Sequence, residues 1–427
     1  MDARGHRPAR PARLTGRPSL LLPRRNGLPM TDTAATTATA SRDTIDHIAG
    51  LAPGSTAHAV RHQRDKVATA TQGCEDALFG PGLPGGLTQA ERLAVAHDIA
   101  RVSGLPALAA HYRAALQPLH PSPAVQALVD APDAAIADAR LQAIVHFART
   151  LATHPAESDQ AALQALPAAG LSVPDTVLLA QLIGFVTYQL RVVAGVAALA
   201  QLGEAGAAPA AAAAAQPVDA APFVHPANLP APGEPLRVNG YTSETLDWKA
   251  WLPVLDPAAA TPEQNAVLDL SHPKARTSDF YLLLAHQPRV LSERSQAFNA
   301  IMYAPGGLAR AEREVASTVV SRVNGCVYCA SVHAQRFEQL AKRNDVMAQI
   351  FQEPDTAGTN ARERAIVQAS AALTRTPGTF GAQHLQPLRD AGLSDLEILD
   401  ALHAAALFAW ANRLMLNLGE AVFPRAG

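Results

Sequence analysis

Residues 314–333 read EVASTVVSRVNGCVYCASVH. Val315, Ala316, Val319, Val320 and Val323 recur at helical spacing, so the stretch predicts a helix opening at Glu314. Asn324-Gly325 predicts its end, because glycine tolerates the turn that closes a helix. A second helix starting at Cys326 would set Cys326, Cys329 and His333 at i, i+3 and i+7, on one face. The fold that follows is helix, turn, helix, and strand patterns are scarce along the rest of the chain.

That face suits thiol redox chemistry. The reactive species is the thiolate, favoured by a helix N-terminus and by a neighbouring imidazole. His333 lies one turn past Cys329 and can take its proton, and a carboxylate can orient the ring. Cys326 is close enough to attack an oxidised Cys329 and release it as a disulfide. Two other readings stay open at this point. Half of a zinc site is one, although no second CxxC or HxxxH follows to complete four ligands. Two buried, inert cysteines is the other. A c-type haem would need His directly after the second Cys, where Ala330 stands.

Glu314, Cys326 twelve residues on, Cys329, and His333 four after that resemble the motif of the alkylhydroperoxidase D-like proteins of the carboxymuconolactone decarboxylase superfamily. The resemblance implies an all-helical fold, obligate oligomers and a peroxide-reducing dithiol. It implies that Cys329 is peroxidatic, Cys326 resolving, and His333 with Glu314 a proton relay. One position departs: the best-known members carry His between the cysteines, where this chain has Tyr328. The segment from Trp248 to Gln264 also resembles the opening segment of peroxidase-related members.

The 427 residues suggest two domains. A hydrophobic fraction of 48%, charged residues at 17% and a net charge of −2 describe a globular chain without a nucleic-acid or membrane-surface footprint. Abundant Ala with 5% aromatics favours close-packed helices. Three cysteines, two of them in one CxxC, fit a reducing, cytoplasmic setting rather than a disulfide framework. No stretch reads as a membrane span, since Val177–Val186 and Ala401–Ala411 are short and interrupted by Gln181 and His403. Residues 1–29 carry seven Arg and no proper apolar core for a signal peptide, and Met30 reads as a plausible true start. Residues 30–43 read as disordered.

The chain also repeats itself. Residues 84–92 (PGGLTQAER) match 305–313 (PGGLARAER), and 101–104 (RVSG) match 322–325 (RVNG), at an offset of 312 − 91 = 221. Further on, 143–145 (AIV) match 365–367, 169–172 (AGLS) match 391–394, and Tyr188 and Arg191 answer Trp410 and Arg413, all at 222. The expected organisation is a leader over 1–43, a first copy over 44–203, an Ala/Pro-rich linker over 204–243 and a second copy over 244–427.

The repeat is an internal control. Glu314, Cys326, Cys329 and His333 face Leu93, Leu105, Leu108 and Tyr112, so all four chemical positions are lost together in the first copy. Glu312, Arg313, Arg322 and Gly325 persist as Glu91, Arg92, Arg101 and Gly104, which assigns them to the fold. His111 is the first copy's best candidate for separate chemistry, and Cys74 reads as a small core residue.

The expected protein is thus all-α, a tandem thiol peroxidase with a catalytic second copy. Cys329, Cys326, His333 and Glu314 would carry the reaction, with no metal or cofactor. Its partners would be a hydroperoxide, an external dithiol or lipoyl or thioredoxin-like donor, and further copies of itself, with no nucleic acid and no membrane. A lactone decarboxylase or ring-cleavage enzyme, and a redox sensor without turnover, are the alternatives. The first copy is expected to pack on the second, with an apolar plug at its former site, and to help wall the cavity above Cys329.

Overall fold

The computed structural model describes residues 43–203 and 224–424. The leader up to 42 and the first half of the expected linker lie outside these residues. The first half folds as α1 (Thr44–Ala49), α2 (Thr56–Arg61), α3 (Asp65–Phe79), α4 (Gln89–Val102), α5 (Pro106–Leu116), α6 (Pro123–Asp130), α7 (Ala139–Thr153), α8 (Gln160–Ala168) and α9 (Val173–Leu202). The second half adds α10 (Pro262–Ser271), α11 (Asp279–Leu284), α12 (Pro288–Met302), α13 (Arg310–Val323) and α14 (Val327–Ala341). It ends with α15 (Asp345–Gln352), α16 (Ala361–Arg375), α17 (Ala382–Asp390) and α18 (Asp395–Asn417). The fold is all-α. Among the described residues, strands form only two short antiparallel pairs, β1 (Arg237–Val238) with β2 (Tyr241–Thr242) and β3 (Asp247–Ala250) with β4 (Gly419–Val422).

The repeat is a repeat of helices. From α4 to α9 every start recurs from α13 to α18, at 310 − 89 = 221 for the first two and at 395 − 173 = 222 from α6 on. Local chemistry explains the shared boundaries. Ser172 and Ser394 each cap their long helix by accepting the N–H of the third helical residue. Gly104 and Gly325, at φ 77° and 79°, take the left-handed backbone that ends α4 and α13 and lets the next helix turn back.

The copies are not independent globules; they share one core. Helices α9 and α18 lie against each other, and both are apolar all round, as a helix enclosed on every side should be. Trp410 sits so close to Gly184 that a Cβ there would be 2.1 Å from its Cδ1. The interface is reciprocal. Arg191 donates to the carbonyl of Thr374 at 2.7 Å, and Arg413 donates to that of Ala152 at 2.5 Å, with 413 − 191 = 374 − 152 = 222. Each buried cation thus closes the last turn of a helix in the other copy, where carbonyls carry partial negative charge. This is the exchange expected of a two-fold dimer, made here within one chain.

Three sequence expectations change. Helix α13 opens at Arg310 rather than Glu314, which puts Glu314 one turn inside and lets Arg310 reach it at i+4. Residues 224–243 are folded rather than linker-like, with Tyr241 donating to the Arg322 carbonyl at 3.2 Å and Asn239 to that of Gln352 at 3.3 Å. Finally, α9 is long and apolar enough to cross a membrane, although no stretch of the sequence was read so. Gln181 does not interrupt it, because the side chain is buried and accepts from Trp410 Nε1 at 3.0 Å. Of the most apolar window of α9, 94% is buried inside the protein.

Between the copies lies a charged cluster. Asp400 accepts from Arg64 of the first copy at 2.7 Å and from Arg313 of the second at 2.9 Å. His403, one turn along α18, is buried. Burial is the largest cause of its shift; Asp400 opposes it, Arg61, Arg64 and Arg313 add to it, and the imidazole is pushed down to about 3. Below the unfolded value near 6.5 the unfolded chain therefore binds a proton that the folded chain refuses. Stability falls as pH drops from there toward 3, by up to about 1.4 kcal/mol per pH unit. His403→Gln should flatten the loss between pH 7.5 and 5.5 in thermal unfolding, and an unchanged slope would refute this assignment.

Candidate active site

Helices α13 and α14 form the site because the turn at Gly325 folds one back on the other. Cys326 is the N-cap of α14, and its Sγ accepts the Cys329 N–H at 3.4 Å. The two sulfurs are 2.6 Å apart, with both thiols free and both buried. Burial first, and the neighbouring Cys329 second, push the Cys326 thiol well up, so it is held protonated.

Glu314 is fully buried beneath α14. Its Oε2 lies 2.5 Å from His333 Nδ1, and its Oε1 accepts from Arg310 Nε at 2.7 Å. Burial alone would raise this carboxyl, but Arg310 and then His333 outweigh it and hold it down at about 2. Glu314 is therefore ionised at neutral pH, and it fixes the imidazole through Nδ1. Nε2 is left without a hydrogen bond among the described residues, and the ring stands edge-on to Phe408 at 4.1 Å.

Cys329 and His333 both line a cavity of about 500 Å³, whereas Cys326 does not. Phe280, Phe298, Phe408 and Met415 make much of the wall apolar. All four sequence-derived residues are thus together, and the two cysteines differ in access. Among the described residues, those that line the cavity lie between 225 and 415, so the expectation that the first copy helps wall the cavity is corrected.

Several polar residues at the cavity escaped the sequence reading. His225 Nε2 lies 2.8 Å from the Tyr303 hydroxyl, and Arg310 sits over the Tyr303 ring at 4.3 Å. His272 stacks on Tyr281 and meets His225 edge-on. Burial, then His225 and nearby cations, push it down to about 4, so it is neutral. A signal existed for Arg310, because the offset that exposed the CxxC places Gln89 opposite it. For His225 it was obscured, since the residue lies in a span of linker composition.

The first copy is closed where the second is open. Leu93, Leu105, Leu108 and Tyr112 are all buried, but the plug is not purely apolar as expected. The Tyr112 hydroxyl donates to Gln189, which donates to Glu75 at 2.8 Å, and Glu75 also meets His111 Nε2 at 3.0 Å. Glu75 and Gln189 stand where the second copy has Phe298 and Ala411, with 298 − 75 = 223 along α3 and α12 and 411 − 189 = 222 along α9 and α18. A polar knot thus fills the equivalent of the cavity, and His111 belongs to it. Cys74 is sealed, and burial raises its thiol well up. The carboxylate retained in both copies is an ion-pair partner: Glu312 meets Arg362 at 2.9 Å, as Glu91 meets Arg140.

Residues 288–369 match the carboxymuconolactone decarboxylase family. Among solved structures, one similar chain is an uncharacterised peroxidase-related protein from Ralstonia eutropha JMP134, described as an alkylhydroperoxidase AhpD core. It is 25% identical over 38% of this chain and 86% of its own, with a TM-score of 0.35. Another is an uncharacterised peroxidase-related protein from Silicibacter sp. TM1040, 22% identical over 40% of this chain and 90% of its own, with a TM-score of 0.34. No curated protein matches the chain at a significant level. The match to the carboxymuconolactone decarboxylase family thus falls on the segment that holds Glu314, Cys326, Cys329 and His333.

Proposed function

We propose that the second copy is a thiol-dependent peroxidase. The observation that carries this reading is the unequal pair: Cys329 in the cavity wall beside the Glu314-held His333, and Cys326 behind it, 2.6 Å from its sulfur. His333 takes the Cys329 proton, and Glu314 stabilises the imidazolium. The thiolate attacks the peroxide, forming an S–O bond and breaking O–O, and the imidazolium returns its proton to the leaving alkoxide. This gives Cys329 sulfenic acid, an alcohol and neutral His333. Cys326 then attacks the sulfenic sulfur, releasing water and forming the disulfide. An external dithiol reduces that disulfide and is itself oxidised.

The test is peroxide treatment of the wild type, read by mass spectrometry and by steady-state turnover with several dithiol donors. A Cys326–Cys329 disulfide, reduced Cys74 and catalytic turnover are expected. Both cysteines still alkylatable would refute the reading. Reversible oxidation without turnover would make the protein a redox sensor, and lactone cleavage that survives Cys329→Ser would make the dithiol incidental.

A further inference from the structure

The fully buried arginines of the described chain make an instructive set. Arg61, Arg92, Arg191, Arg313 and Arg413 each donate to carboxylates or backbone carbonyls. Arg294 is as buried, at 3% exposed, yet it makes no hydrogen bond or ion pair among the described residues. A sealed Nε it shares with Arg61, Arg191, Arg313 and Arg413, but they bond through their other nitrogens and Arg294 does not. Its guanidinium lies 5.4 Å from the Phe280 ring centre and 5.6 Å from that of Trp410. Those faces support a cation but satisfy none of its N–H groups.

Arg294 also lines the cavity of Cys329. Of the three other cations there, Arg310 is neutralised by Glu314, Arg336 donates to Gln339 at 2.8 Å, and Lys274 is exposed to solvent rather than enclosed by the apolar wall. The two carboxylates of the wall, Asp247 and Asp279, do not pair with Arg294, and Asp279 accepts from the Ala250 N–H at 3.3 Å. The first copy supplies a control. With 294 − 71 = 223, Thr71 stands at the equivalent position of α3, where its hydroxyl meets that of Tyr188 at 2.7 Å. The closed copy has a satisfied neutral group where the open copy has an unsatisfied cation.

A planar guanidinium with free donors in an apolar wall is matched by a carboxylate, which it can grip through two parallel hydrogen bonds. We propose that the cavity binds an amphipathic organic carboxylate, its carboxylate on Arg294 and its apolar body against Phe280, Phe298 and Phe408. Resting on the peroxidase reading for the chemistry, the substrate class becomes hydroperoxides of organic acids. The binding itself does not depend on turnover.

The experiment is calorimetric titration of the reduced full-length protein with octanoate and with 1-octanol, which differ in the charged group. For the wild type, octanoate should bind at least tenfold more tightly, and it should slow alkylation of Cys329. Arg294→Met should erase the preference, and Arg294→Lys, which keeps the charge without the fork, should retain part of it. Equal affinity for the two ligands in the wild type, or a preference that persists in Arg294→Met, overturns the proposal. If Arg294→Met does not fold, the wild-type ratio and its reduction in Arg294→Lys decide. An octanoate preference in a protein that turns over no peroxide upholds this subsite and overturns only the peroxidase reading.

Discussion

Cys326→Ser protein is expected to reduce one equivalent of hydroperoxide and then stop, with Cys329 trapped as a sulfenic acid that dimedone labels. Cys329→Ser is expected to reduce none above background. Both should lose steady-state turnover, by on the order of a thousandfold or more, as when a covalent nucleophile is removed. The asymmetry follows from the geometry. Cys329 lines the cavity and Cys326 does not. Burial and the adjacent Cys329 also keep Cys326 as a thiol, which makes it a poor first nucleophile. Once Cys329 is oxidised, Cys326 is already within reach of the sulfenic sulfur, since the two sulfurs lie 2.6 Å apart in the reduced protein. Rapid mixing with a limiting peroxide pulse, followed by dimedone and mass spectrometry, separates the two variants. A Cys326→Ser protein that keeps cycling, or a Cys329→Ser protein that forms sulfenic acid on Cys326, would reverse the assignment.

What the sequence disclosed was whatever depends on short spacings. Cys326, Cys329 and His333 share one helix, so their common face follows from the helical period, and Glu314 follows from the preceding helix across one glycine turn. The repeat added what spacing could not, since it separated Glu314 from Glu312, and Glu312 indeed pairs with Arg362 as Glu91 pairs with Arg140. Long-range convergence stayed hidden. Arg294 and Tyr303 from α12 and its C-cap, Arg310 from α13 and His225 from the stretch after 224 come from three segments that meet only when these assemble round the cavity. The polar knot of the first copy was hidden for the same reason. Glu75 and Gln189 are 114 residues apart, each reads alone as a surface residue on a helix, and only the packing of α3 on α9 brings them together. Helix α13 starts one turn before its apolar period begins, and the sequence offers no side-chain cap at Ala309 to mark that start.

Removal of the first copy should cost far more than a missing spectator would. Residues 224–427 alone would leave uncovered the face of α18 that lies on α9. Trp410 would lose the groove at Gly184, and Leu402 its seat against Gly195. Arg413 would lose the Ala152 carbonyl and keep only that of Ala409, and Asp400 would lose Arg64 and keep Arg313. Each large apolar side chain uncovered costs about 1.5–3 kcal/mol. A few of them reach roughly 5 kcal/mol, comparable to the net stability of a whole domain. At about 2–4 °C per kcal/mol, the thermal midpoint should fall by about 10–20 °C relative to the full chain. The arginine exchange uses equivalent residues, but Ala406 and Asn417 stand in α18 where α9 has Gly184 and Gly195, so pairing α18 with the α18 of a second fragment would recover the interface only in part. Sedimentation velocity should therefore find a dimer or an aggregate. A monodisperse monomer with the full chain's thermal midpoint would show that the first copy does not act as a built-in partner. Cys329 chemistry in such a fragment is expected to track its folding, since the cavity wall is made by the second copy but α18, which carries Phe408, Ala411 and Met415 into it, is packed on α9.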